Sequence, residues 1–283
     1  MRAMILAAGR GERMRPLSDV LPKPLLAVGG KPLILWHIER LAQAGFLDVV
    51  INHAWLGEKI EAALGDGSRY GVRLHYSRET RALETAGGIN HALPLLGDGP
   101  FLVINGDVWC DWPPARAVAQ ARDMMQSGDL AWLLLADNPA HHPQGDFYLD
   151  EAGRVHDAWP ERPAWSRPPR LSTAQSARLA ACGEVKRGNR NIETQAAPTA
   201  RSGFFTFTGI GLYQPRLFAG LARDGGQDTN PPAPAALAPL LKAAMRTGRV
   251  AGTHYNGDWL DVGTPQRLAA LDKRLRAQTV RRA

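Results

Sequence analysis

Apolar and polar positions along this chain follow two rhythms, and the alternation between them lays out a fold. Ala3–Ala8 is a short apolar run ending in glycines, the pattern of a strand buried on both faces. Over Pro32–Ala44 the apolar residues Leu33, Ile34, Ile38, Leu41 and Ala42 recur at helical spacing, and Gly45 is placed to cap the end. The same reading predicts strands at Asp48–Asn52, Val72–Tyr76, Phe101–Ile104 and Leu130–Leu135, with helices at Leu56–Leu64, Thr85–Leu96 and Ala115–Gln126 between them. It resumes later with a strand at Phe204–Tyr213, a helix at Ala235–Thr247, a strand at Val250–His254 and an amphipathic helix at Thr264–Ala277. Strand and helix in alternation predict an α/β fold, Rossmann-like, in three α/β/α layers around a mixed, mostly parallel sheet.

The pattern fails in the middle. Trp159–Gly203 carries Pro160, Pro163, Pro168, Pro169 and Pro198, many Arg, Ser and Thr, and little periodicity. It reads as a mobile insertion in one domain that spans residues 1–283. Asp224–Pro234 reads as a Gly/Pro/Asn loop.

Composition narrows the class. A chain of 283 residues, 45% hydrophobic and 22% charged, can bury a real core as a soluble globular protein. No stretch approaches the roughly 20 apolar residues of a membrane span. The apolar start is too short for a secretory signal and runs at once into Arg10, Glu12, Arg13 and Arg15, so the expected compartment is the cytoplasm, with no membrane partner. Cys110 and Cys182 lack Cys or His partners at metal-ligand spacing and read as reduced thiols. The net charge of +7 invites a nucleic-acid reading, but its location opposes one. Eight Arg or Lys against three Glu fall in 159–203, and five against one Asp in 272–283, so the predicted core is slightly acidic and no nucleic-acid partner is expected.

The candidate chemistry begins at Gly9-Arg-Gly11, directly after the first strand. Glycines let the backbone turn sharply and approach a ligand, and successive amides can cradle phosphate oxygens. Arg13, Arg15 and Lys23 add positive charge. A Walker loop needs Gly-Lys-Ser/Thr after its second glycine, where this chain has Glu12-Arg13-Met14. A dinucleotide fingerprint needs a small residue where Met14 stands, and Pro16, Pro22 and Pro24 keep the segment from entering a helix. On spacing alone the loop fits a phosphate ligand or a tight turn on a basic surface.

Leu6-Ala-Ala-Gly-x-Gly-x-Arg-Met-x-Pro16, with Pro22-Lys-Pro-Leu25 and Gly30-Lys-Pro-Leu33 after it, resembles the signature of the sugar-1-phosphate nucleotidyltransferases, with Glu12 in place of the usual Thr. Leu83-Glu-Thr-Ala-Gly-Gly88, Asn105-Gly-Asp-Val-Trp109 and Trp259-Leu-Asp-Val-Gly263 match in order. The segments Asn52–Leu56, Asp137-Asn-Pro139 with His141-His142, and Gly145–Phe147 are most similar to the members that uridylylate N-acetylmuramate 1-phosphate in peptidoglycan recycling. The resemblance covers nearly all of the chain except 159–203 and implies UTP and a sugar 1-phosphate as substrates. Another sugar 1-phosphate (glucose, mannose, heptose), phosphocholine, or a nucleotide-binding regulator without catalysis are the alternatives.

Asp107 follows a strand and a glycine, where open α/β sheets place ligands, and Asp261 sits in an apolar-flanked segment. Read alone, both could be turn-capping residues. The resemblance implies that they hold Mg²⁺, which takes a few carboxylates plus water and phosphate oxygens. It also implies that Arg13 and Lys23 face the phosphates as the catalytic cations, and that Leu6, Ala8, Gly9, Gly11, Glu12, Glu84, Thr85 and Gly88 join them around the nucleotide. Thr85 serves equally as a helix N-cap. Asn105 and Asp146 are candidates for the sugar hydroxyls, and Trp259 for a sugar-facing wall or a core position. His141 and His142 are adjacent and point opposite ways in an extended chain, so they make a poor metal pair. The absence of a long C-terminal repeat domain suggests a monomer.

Overall fold

The structure, a computed structural model, describes residues 1–159, 202–221 and 233–280. Residues 160–201 of the predicted insertion, most of the predicted 224–234 loop and Cys182 lie outside the described residues. By contacts the chain divides into Met1–Asp157 with Ala200–Ala283, and Ala158–Thr199. The first of these holds every strand and helix named below.

A period-two pattern builds its centre. In strand β1 (Ala3–Leu6), Ala3 and Ile5 join one apolar cluster while Met4 joins another. The same split divides Val49 and Ile51 from Val50 in β2 (Asp48–His53), and Leu102 and Ile104 from Phe101 and Val103 in β4 (Phe101–Asn105). A strand with both faces apolar must be covered on both sides, which forces three layers. Helix α1 (Leu33–Gln43) turns Ile34, Ile38 and Leu41 into the first cluster, and Gly45 ends it with φ +83°. Helix α2 (Gly57–Leu64) adds Ile60 and Leu64 there. Helix α3 (Glu84–Leu96) brings Ala86, Ile89 and Ala92 to the other cluster. Each fully buried Leu or Ile contributes roughly 1.5–3 kcal/mol, so a charge at Leu41 would open this layer.

Among the described residues the main sheet has nine strands. Strand β3 (Arg73–Arg78), β2, β1 and β4 form a parallel run. After β5 (Val108–Cys110) and α4 (Ala117–Ser127) come β6 (Ala131–Ala136), β7 (Phe147–Leu149), β8 (Val155–His156) and the long β9 (Gly203–Tyr213). Strand β9 runs antiparallel to β4, β6 and β7, and β8 antiparallel to β7. Helix α5 (Leu237–Arg246) leads to β10 (Val250–Tyr255), which lies parallel to β6. Only β8 and β9 therefore run against the rest, and the mixed, mostly parallel α/β sheet is as expected.

The sequence reading missed one pairing that matters for the site. Strand β11 (Trp259–Asp261) pairs antiparallel with β5, opposing Asp261 to Val108, while Val262 N–H donates to the Asp107 carbonyl at 2.9 Å. Helix α6 (Pro265–Val280) follows, with Leu271 and Leu275 packed against Trp109 and Val262.

Candidate active site

The C-terminal ends of β1, β2 and β4 open into a cavity of about 570 Å³, the place where an open parallel sheet holds ligands. Its lining includes Leu6, Ala8, Gly9, Gly11, Glu12, Arg13, Lys23, Glu84, Thr85, Asn105 and Asp107 from the sequence reading, together with Ala7, Asn52 and Gly263. Gly88, Asp146, Trp259 and Asp261 are outside that lining.

The loop after β1 is fixed from behind. Gly11 has φ +67°, a conformation that disfavours a side chain, and a Cβ there would meet Lys23 at 3.3 Å. The Ser18 hydroxyl donates to the Gly11 carbonyl at 2.7 Å, and the Trp55 indole donates to the Ser18 carbonyl at 3.0 Å. The Arg10 guanidinium lies 4.5 Å from the Trp55 ring centroid. Asn52-His-Ala-Trp-Leu56 thus acts through the loop: Asn52 accepts the Ala7 N–H at 3.0 Å, and Trp55 braces the next turn.

Two carboxylates meet two cations, Asp107 with Lys23 in the cavity lining and Asp261 with Arg267 outside it. Lys23 Nζ lies 2.8 Å from Asp107 Oδ2, and Arg267 Nη1 donates to Asp261 Oδ2 at 2.6 Å. Asp261 and Asp107 are fixed beside one another by the β5–β11 ladder, and a Cβ on Gly263 would lie 2.9 Å from Asp261 and 3.2 Å from Arg13. Among the described residues no three His, Cys, Asp or Glu side chains gather as a metal cage. Two adjacent carboxylates, each pairing with its cation through Oδ2, fit a Mg²⁺ ion that takes its remaining ligands from phosphate and water.

His37 sits beneath the carboxylate-bearing turn, buried, with Nε2 2.8 Å from the Val108 carbonyl. Burial lowers its pKa to about 4, so the neutral ring donates to that carbonyl. Burial also raises the Cys110 thiol to about 12, which makes it an inert core group.

The structure places three further candidates as follows. Thr85 lies inside the first turn of α3, Leu83 occupies the N-cap, and no side chain caps the helix. The N–H groups of Ala86 and Gly87 donate to the Ala235 carbonyl at 2.9 and 3.1 Å, so they are engaged by the chain before α5, while Glu84 and Thr85 line the cavity. Asp146 accepts from Phe207 N–H at 2.8 Å and pairs with His142 at 3.1 Å, fastening its loop to β9 away from the cavity lining. The Trp259 indole donates to the Thr208 carbonyl at 2.9 Å and packs on the first apolar cluster, which is the core alternative for that residue.

The sequence reading missed Asn52 as a lining residue, and Glu79, His37 and Arg267 altogether. Asn52 carries a legible signal, a polar side chain closing the buried run Val49-Val-Ile51 at a strand's C-terminal end. The other three carry none.

A strand-ended glycine loop with Arg13 and Lys23 on a mostly parallel sheet, beside a carboxylate pair at the β5–β11 ladder, defines an α/β protein suited to an anionic ligand. The chain matches the nucleotidyl transferase family over residues 2–278 and belongs to it. It is 48% identical over 95% of both chains to the N-acetylmuramate alpha-1-phosphate uridylyltransferase of Neisseria meningitidis, and 34% identical over 96% of both to that of Caulobacter vibrioides. In fold it is similar to a Bacillus anthracis protein assigned as a glucose-1-phosphate thymidylyltransferase and solved with sucrose. That likeness has a TM-score of 0.68 at 19% identity, over 98% of this chain and 96% of the other. Among the described residues no helix is long and apolar enough to cross a membrane.

Proposed function

We propose that this protein transfers a uridylyl group from UTP to N-acetylmuramic acid 1-phosphate, giving UDP-N-acetylmuramic acid and pyrophosphate. The observation that carries the reading is a likeness to two such enzymes along 95% or more of each chain, beyond the nucleotide-facing segments alone. A phosphate oxygen of the sugar ester attacks the α-phosphorus of UTP, the bond to the β-phosphoryl oxygen breaks, and pyrophosphate leaves. The attacking group is already ionised at neutral pH, so no base is needed, and positioning with charge neutralisation carries the rate. Bound Mg²⁺, held by Asp107 and Asp261, would supply charge screening at the α-phosphate. Arg13 and Lys23 stabilise the spreading charge and the departing pyrophosphate from the loop side. Glu84 and Thr85 face the base, and Asn105 the sugar. The reaction belongs in the cytoplasm, where UTP is made, and a monomer suffices because every proposed group comes from one chain. A coupled pyrophosphate assay against a panel of sugar 1-phosphates tests the reading. Turnover with the muramate ester is expected. Turnover with glucose or mannose 1-phosphate and none with the muramate ester would move the protein to a sister activity.

A further inference from the structure

A polar bridge runs beneath the cavity that the chemistry above leaves unused. Asn52 Oδ1 accepts the Ala7 N–H at 3.0 Å, and Asn52 Nδ2 donates to Glu79 Oε1 at 2.7 Å. Glu79 Oε2 then accepts the Leu83 N–H at 3.0 Å. Both side chains are buried, at 3% and 8% exposure. One end of the bridge is Ala7, in the wall formed by the glycine loop. The other is Leu83, directly before Glu84 and Thr85 on the opposite wall, where Glu84 is held at φ +58°. Non-glycine residues enter that region only where their surroundings hold them there.

The direction of every bond is fixed. Backbone amides only donate, so the two ends of the bridge are donors. Asn52 must accept on one side and donate on the other, and Glu79 must accept with both oxygens. An ionised carboxylate does this, whereas an amide of the same shape cannot. Gly88 leaves room for the crossing: a Cβ there would lie 2.7 Å from Glu79 Oε1 and 2.8 Å from Asn52 Nδ2. Its small size therefore serves the bridge.

We propose that the Asn52–Glu79 pair is a positioning device that sets the separation of the phosphate loop from the base-side turn, and thereby the affinity for the nucleotide. The inference rests on the uridylyltransfer reading above. It predicts a specific double substitution. Glu79→Gln places an N–H₂ against either Leu83 or Asn52, and Asn52→Asp sets two carboxylates face to face. In Asn52→Asp/Glu79→Gln all the bonds are satisfied again. The carboxylate at 52 accepts from Ala7 and from the amide at 79, whose oxygen accepts from Leu83.

The test is UTP binding by calorimetry in the presence of Mg²⁺, with KM for both substrates measured alongside. Each single substitution is expected to weaken UTP binding about tenfold, with KM for the sugar phosphate nearly unchanged: Glu79→Gln leaves a buried donor without an acceptor, and Asn52→Asp sets two buried carboxylates against each other. The double substitution, which keeps the assay usable if a single variant does not fold, is expected to bind UTP several-fold tighter than either single. Wild-type UTP binding with equal affinity in the single variants overturns the bridge. So does a double variant no tighter than the singles, or a loss shared equally by both substrates. A wild type that binds no UTP overturns the functional reading, and this inference with it.

Discussion

The ammonium of Lys23 lies 2.8 Å from Oδ2 of Asp107, although the two residues are 84 positions apart. The lysine side chain is 8% exposed and the aspartate 39%, so the cation is held from behind while the carboxylate faces the cavity. Lys23 thus neutralises Asp107 and keeps positive charge where phosphate oxygens would arrive. Lys23→Ala is expected to lower kcat/KM about a hundredfold or more, the usual scale for losing a charged donor at a transition state. Pyrophosphate release at saturating UTP checks it, and a variant within threefold of wild type would remove Lys23 from the chemistry.

The carboxylate pair makes a separate prediction about metal. On the proposed metal reading, Asp107→Asn and Asp261→Asn would each remove one hard anionic ligand from a two-carboxylate set. Each is expected to raise the Mg²⁺ concentration for half-maximal activity about tenfold and to weaken Mn²⁺ binding seen by electron paramagnetic resonance. Chelation should abolish turnover and leave the melting temperature in place, because the core is apolar and lies elsewhere. Full activity in chelator would refute the metal reading.

Much of the fold was legible because apolar strands and helices obey short periods. The structure moves the predicted strand at Asp48–Asn52 by one residue, to Asp48–His53, and the helix at Thr85–Leu96 to Glu84–Leu96. The β5–β11 ladder was not legible, since three-residue strands from distant parts of the chain carry no period. Lys23, Arg13 and Asp107 stood out because they follow strand ends or glycines. Glu79 did not, because no local pattern marks a carboxylate whose partners are a strand asparagine and a loop amide. Asp146 is a sugar-ligand candidate by type, and its contacts with His142 and Phe207 N–H are ones that only three-dimensional neighbours reveal.

Gly209 offers a test of the sugar side. It sits at φ +79° where the pairing of β9 with β6 shifts register, and a Cβ there would lie 2.6 Å from Asn105 Nδ2. Gly209→Ala therefore strains the backbone and displaces Asn105, which lines the cavity. The expected result is a rise of about tenfold in KM for the sugar phosphate, with UTP affinity within about twofold of wild type. An equal change in both would separate Asn105 from acceptor recognition.

His37 makes a prediction in pH. Its folded pKa is about 4 because burial disfavours the charged ring, against 6.5 unperturbed. Above pH 6.5 both folded and unfolded states hold it neutral, and its contribution to stability is fully present. As pH falls from 6.5 towards 4 the unfolded state takes up a proton that the folded state refuses, so stability is lost, by at most about 3 kcal/mol. Below 4 the loss levels off, and carboxylates held below their ordinary range by arginine, such as Asp48, take over the acid dependence. Glu79, raised by burial, works in the opposite sense, so the reading must come from a comparison of two proteins. His37→Gln keeps a donor for the Val108 carbonyl and removes the titration. Its melting temperature, followed from pH 7 to pH 4, is expected to fall less steeply than that of wild type. Parallel curves would show that His37 titrates in the folded protein as freely as in the unfolded chain.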